Sequence, residues 1–119
     1  MRSLVLKVTA GPQDAERANQ GLTVAAAAAA AGAHVSLWLT GESAWWGTPD
    51  HGRSLSLKYA TEVDQLIAIV LEMGTVTICG QCAARREIGE ADTLPGVTIR
   101  GAAVFAEEVL ADGVQALVY

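Results

Sequence analysis

Cys79 and Cys82 are the only thiols of the chain, and they stand three residues apart in the run Ile78-Cys79-Gly80-Gln81-Cys82-Ala83-Ala84-Arg85-Arg86. A pair at this spacing serves chemistry in which a thiolate attacks a sulfane sulfur or a disulfide, or it donates two ligands to a metal. The run Thr75-Val76-Thr77-Ile78 reads as a strand that delivers the pair to the start of a predicted helix. Unpaired backbone N–H groups and the positive end of a helix dipole favour thiolate over thiol at such a point. Cys79, nearest the strand end, is the expected nucleophile. Gly80 would let a ligand approach the backbone without a Cβ in the way. Cys82 could attack a persulfide on Cys79, releasing the outer sulfur as sulfide and leaving a disulfide, which makes it a resolving thiol.

Other readings of the pair stand beside this one. Structural zinc needs four ligands, and only His34 and His51 are available to join the two cysteines. His34 opens a predicted strand at its amino end, away from the thiols, so no metal is expected. Thioredoxin-type exchange asks for a pair after an early strand, whereas this one comes two-thirds of the way along the chain. Two inert, core-packed cysteines remain the plain alternative, since free Cys is among the most buried residue types. Arg85 and Arg86, one turn beyond Cys82, could attract an anionic donor or the acidic tail of a partner; a solvated face or an intersubunit salt bridge accounts for them equally well. Trp45 and Trp46 could wall a pocket, anchor an oligomer contact or fill the core. His51 is a potential proton donor, and Thr9 and Glu42 are further neighbours of the expected site.

The elements that must position these groups alternate along the chain. Residues 3–8 read as a first strand and residues 14–31 as a helix, with acidic residues in its first turn and Gly32 just past its end. Its alanine run has high helix propensity and small side chains, so it can lie close to a sheet or to a second copy of itself. Residues 34–39 alternate as a second strand, and residues 41–60 read as a long loop that could hold a short helix. A helix over 61–73, a strand over 75–78, a short helix over 82–88 and a strand over 97–100 follow. The last helix spans 102–112, with Phe105, Ala106, Val109 and Leu110 on one side, and residues 114–118 make a fifth strand. Repeating β-α units argue for a mostly parallel sheet in a three-layer α/β/α arrangement. The segments leaving the strands, at 9–12, 40–46, 79–82 and 100–101, then gather at one carboxyl edge, where open α/β sheets bind ligands. Periodicity leaves the strand order open.

Composition bounds the partners. With 119 residues, 51% of them hydrophobic and 18% charged, the chain is read as one compact domain over 1–119 and not as disorder. A net charge of −5 disfavours nucleic acid and anionic membranes. Residues 22–33 are apolar but too short to span a bilayer. The N-terminus has no signal-peptide layout, and a chain with only two cysteines is expected in a reducing cytoplasm. No cofactor is expected, because Gly11-Pro12 lacks the spacing of a dinucleotide loop and no phosphate-loop Gly-Lys-Ser/Thr occurs.

The chain resembles the DsrE/DsrF-like proteins, small α/β sulfur-handling domains that include sulfur-relay subunits of tRNA thiolation and proteins of dissimilatory sulfur oxidation. The likeness rests on Val8-Thr9-Ala10-Gly11-Pro12 with Asp14-Ala15-Glu16-Arg17-Ala18, on Leu37-Trp38-Leu39-Thr40-Gly41-Glu42 with Trp45, on the cysteine segment, and on Leu94-Pro95-Gly96-Val97-Thr98-Ile99 before an alanine-rich helix. In the sulfur-relay members an Arg-Arg pair follows the active cysteine six and seven residues on, which matches Cys79 with Arg85 and Arg86. The resemblance implies a five-stranded sheet and a persulfide on Cys79 that is passed from a donor protein to an acceptor protein. It also implies a homo-oligomer, trimeric or hexameric. The site residues carried forward are Cys79 and Cys82 as catalytic, with Gly11, Glu42, Trp45, Gly80, Arg85 and Arg86 as substrate-binding. The competing function on this scaffold is an oligomeric thiol-redox or small-ligand-binding protein without transferase activity.

Overall fold

Alternation along Ser3–Val8 (β1) sends Leu4, Leu6 and Val8 into the core and Ser3, Val5 and Lys7 to the opposite face. The same division runs through His34–Leu39 (β2), where Val35, Leu37 and Leu39 join that core and Ser36 and Trp38 turn away from it. Thr75–Cys79 (β3), Val97–Arg100 (β4) and Val114–Val118 (β5) complete a five-stranded, all-parallel sheet in the order β4-β3-β2-β1-β5. The structure, a computed structural model, describes residues 2–49 and 55–119. His51, a proton-donor candidate in the sequence, lies outside the described residues.

The alanine-rich helix is Ala15–Ala30 (α1), entered through a 3₁₀ turn at Pro12–Asp14. Asp14 caps it by accepting the Arg17 N–H at 3.4 Å, and Gly32, at φ +97°, takes the left-handed position past its end. Its small residues are used against the sheet: Ala18, Gly21, Leu22, Ala25, Ala26 and Ala29 are buried. A Cβ on Gly21 would meet Val8 Cγ2 at 2.7 Å, so the helix packs directly onto the Val8 side chain of β1. Val63–Met73 (α2) packs beside it and buries Val63, Leu66, Ile67 and Val70, the stripe its periodicity predicts.

Steps from β1 to β2, β3 and β4 all move sideways in one direction, whereas β4 to β5 returns across the sheet to the far side of β1. Right-handed crossovers therefore set α1, α2 and Gly80–Arg85 (α3) on one face and Ala102–Val109 (α4) on the other. Two element readings change. The short helix starts at Gly80 and not at 82, because Cys79 itself takes the N-cap position. In α4 the inward residues are Val104, Phe105, Glu108 and Val109, while Ala106 and Leu110 face out, Leu110 at 81% exposure. The stripe is rotated because Glu108 is drawn inward by two donors: its Oε1 accepts from Ser36 Oγ at 2.6 Å and from Trp38 Nε1 at 2.9 Å. Among the described residues, no helix is long and apolar enough to cross a membrane.

Candidate functional site

The strand-exit segments do meet at the carboxyl edge. A Cβ on Gly11 would overlap the carbonyl of Glu42, so the loops after β1 and β2 touch there. Gly41, at φ +56°, donates its N–H to Cys82 Sγ at 3.1 Å, joining the loop after β2 to the segment after β3. Gly80 faces the Arg100 carbonyl and Gly101, and Cys79 is the register partner of Arg100. The chain leaves β3 toward one face of the sheet and β4 toward the other, so Cys79 stands at the topological switch point, where a crevice opens between diverging loops.

Alternation along β3 buries Val76 and Ile78 in the core under α1 and α2 and turns Thr77 and Cys79 to the α4 face. Cys79 is a half-buried free cysteine. It lines a cavity of about 40 Å³ together with Lys7, Trp38, Thr40, Ala102 and Phe105. The walls are fixed by ring contacts: Trp38 and Phe105 meet edge to face with centroids 5.3 Å apart, and Lys7 Nζ lies 4.5 Å from the Phe105 centroid. Cys82 is also free and half-buried, but it does not line this cavity; it packs against the core and is held toward the loop after β2 by the Gly41 N–H. Three residues of spacing thus give the two thiols different surroundings.

Among the described residues, none of the remaining candidates lines this cavity; they stand on neighbouring elements and loops. Arg86 is tied back onto the site: its Nε donates to Glu42 Oε2 at 2.8 Å and its NH1 to the Cys82 carbonyl at 3.1 Å. Arg85 points into solvent and bonds only Gln81 Oε1, at 3.2 Å, among the described residues. Trp45 and Arg86 line a larger open cleft of about 370 Å³ with Thr48, Glu87, Ile88 and Asp92. Trp46 fills the core and donates to the Ala10 carbonyl at 3.0 Å. Thr9 Oγ1 donates to the Tyr119 carbonyl at 2.8 Å, an anchor for the chain end rather than a group of the thiol cavity. His34 bonds the Met73 carbonyl through Nδ1, at the amino end of the sheet. Among the described residues no group of three or more His, Cys, Asp or Glu side chains could hold a metal ion.

Lys7, Trp38 and Phe105 escaped the sequence reading. The alternation of β1 and β2 already placed Lys7 and Trp38 together on the face away from the core, and they are register partners. What the pattern lacked was the knowledge that α4 lies over that face.

A family model of the DsrE/DsrF-like family matches residues 2–118, and the chain belongs to that family. Among solved structures it is similar to the ychN protein from E. coli, with a TM-score of 0.79 and 20% identity over 98% of this chain and 99% of that one. It is also similar to the protein of unknown function MTH1491 from Methanobacterium thermoautotrophicum, with a TM-score of 0.76 and 10% identity over the whole of both chains. A third, the conserved protein of unknown function BT1422 from Bacteroides thetaiotaomicron, has a TM-score of 0.60 and 21% identity over 98% of this chain and 94% of that one. At these identities the likeness establishes the fold. No curated protein matches the chain.

Proposed function

We propose that this member of the DsrE/DsrF-like family is a sulfur carrier: Cys79 takes a sulfane sulfur from a donor, holds it as a persulfide and passes it to a partner protein. The observation that supports the reading is the position of Cys79, a free, partly accessible thiol at the switch point of the sheet, lining a cavity of about 40 Å³. That is room enough for a water-sized group, ~10–15 Å³ on the same kind of measure, and so for an added sulfur.

Loading is a thiol exchange. The Cys79 thiolate attacks the outer sulfur of a donor persulfide R–S–SH; the S–S bond breaks, R–S⁻ leaves, and Cys79–S–SH remains with its proton on the outer sulfur. Transfer to an acceptor thiolate repeats the step in the other direction. When no acceptor is present, the Cys82 thiolate attacks the inner sulfur of Cys79–S–SH, HS⁻ leaves and a Cys79–Cys82 disulfide forms. The two thiols are then oxidised by two electrons and the sulfane sulfur is reduced to sulfide. Arg86, anchored on Glu42, and Arg85, free to reach outward, offer guanidinium groups to a partner's acidic segment, with Trp45, Gly11 and Gly80 shaping the edge on which it docks.

The reading includes self-association in the cytoplasm as a trimer or hexamer. Support comes from the exposed apolar residues of the last helix and strand: Leu110 at 81%, Val118 at 65% and Leu117 at 42% exposure. Sedimentation of the purified chain tests this part separately.

Intact mass of the reduced protein after incubation with a sulfane-sulfur donor tests the carrier. A gain of one sulfur atom, absent in Cys79→Ser and retained in Cys82→Ser, is expected. Loss of two hydrogens without retained sulfur would replace the carrier by a thiol-redox protein. Two thiols that never react in the folded chain would leave a binding module, for which the cleft of about 370 Å³ beside Trp45 and Arg86 is the site.

A further inference from the structure

Lys7 sets a cation on the face of the sheet that α4 covers. Its neighbours on the same face of β1 are Ser3 and Val5, and its side chain is half-buried beneath α4 instead of reaching solvent. Among the described residues its ammonium has no carboxylate partner; its contact is the ring of Phe105, 4.5 Å from Nζ to the centroid. Of the two acids on α4, Glu107 is exposed to solvent and Glu108 is engaged by Ser36 and Trp38. A cation on an aromatic face keeps hydrogen-bond donors free on its other side. Lys7 lines the same cavity as Cys79.

We infer that Lys7, seated on Phe105, is the anion-holding residue of the Cys79 cavity, and that the species it receives is a small sulfur anion. This deepens the carrier reading and rests on it. Sulfane sulfur is delivered by, and stored as, groups that carry negative charge at sulfur or beside it. The cavity that Cys79 and Lys7 both line is small, about 40 Å³, which favours a small species beside the sulfur. A charge inside so small a space selects by sign as well as size: an anionic donor is drawn toward the sulfur, and the outer sulfur of the persulfide finds a cation beside it. Phe105 is then a positioning residue, since it touches Lys7 and fixes the ammonium. Trp38 supports it through the edge-to-face contact at 5.3 Å.

Two alkylating reagents of nearly equal size separate this role from a structural one. Iodoacetate is anionic and iodoacetamide is neutral; both are attacked by the same thiolate with loss of iodide, so the ratio of their rates cancels the fraction of thiolate present. The full-length protein in a Cys82→Ser background reports Cys79 alone, and Ser retains an acceptor for the Gly41 N–H. In Lys7→Met the iodoacetate to iodoacetamide ratio should fall about five- to tenfold, the order expected for removing one unit charge from the lining of a partly screened site. Lys7→Arg should restore the ratio. Phe105→Leu should lower it less, by freeing the ammonium without deleting it. Arg100→Gln should leave it near the starting value, because Arg100 is the register partner of Cys79 yet lies outside the cavity lining.

An unchanged ratio in Lys7→Met would overturn the role of Lys7 while leaving sulfur loading of Cys79 intact. Cys79 unreactive toward both reagents in the folded protein would overturn the carrier reading and this inference together. A parallel fall of both rates in Lys7→Met, with the ratio preserved, would make Lys7 a structural residue only.

Discussion

Beneath α1 and α2, the sheet is covered by Ala18, Leu22, Ala25, Leu66 and Val70, which close over Leu6, Val8, Leu37, Leu39, Val76 and Ile78, every one of these six strand residues at 0% exposure. Beneath α4 the same strands present Lys7, Ser36, Trp38, Thr77 and Cys79, and α4 itself has no buried residue. The first face is held by the burial of apolar area, which is non-directional and tolerant of detail. The second is held by a few directional contacts: Glu108 with Ser36 and Trp38, Phe105 with Trp38, and Lys7 with Phe105. Polar groups are costly to enclose but can do chemistry, and the fold concentrates them on the face that one helix covers lightly. The dry face supplies stability, and the sparse face supplies the thiol cavity.

The largest expected effect falls on the dry face. Leu37→Ala removes a fully buried side chain at the sheet centre and should cost about 2–5 kcal/mol in urea unfolding. A loss under about 0.5 kcal/mol, the range of ordinary surface substitutions, would mean that this core is not the stabilising half.

A smaller effect is expected beneath α4. Glu108→Ala strands the Trp38 N–H, on a side chain only 1% exposed, together with the Ser36 hydroxyl, and should cost about 1–3 kcal/mol. Hydrogen exchange should locate that loss in α4, with α1 amides unaffected; equal acceleration in both helices would erase the contrast between the two faces.

Gly80→Ala should change stability least, within about 0.5 kcal/mol. An added Cβ meets the Arg100 carbonyl at 3.6 Å and the Gly101 Cα at 3.8 Å, both ordinary contacts, and the backbone there is not left-handed. If sulfur loading falls while stability holds, close approach of a donor at Gly80 is the reason; if stability itself falls, the geometry assigned to the β3 exit is wrong.

Much of this was legible in the sequence because each β-α unit carries its own period. All five strands, the stop of α1 at Gly32 and the gathering of residues 9–12, 40–46, 79–82 and 100–101 follow from local patterns and the parallel-sheet rule. The strand order does not, since lateral neighbours leave no mark on periodicity. Cys79 was legible as the strand-end thiol, but the parting of Cys79 from Cys82 was not: it depends on one residue ending a strand and the other riding a helix turn. The Arg86–Glu42 pair joins residues 44 apart in the chain, and such contacts exist only once the loops have met. Lys7 drew no comment in the sequence because its contact with Phe105 exists only once α4 has returned over that face after a crossing of the whole sheet.

The most direct test follows the sulfur itself. The reduced protein is loaded with a sulfane-sulfur donor, freed of excess donor and alkylated, and the segment 79–82 is read by fragment-ion mass spectrometry. The account predicts one extra sulfur between Cys79 and its alkyl cap, with Cys82 capped as an ordinary thiol. An extra sulfur on Cys82 with none on Cys79, or no extra sulfur on either, would contradict it.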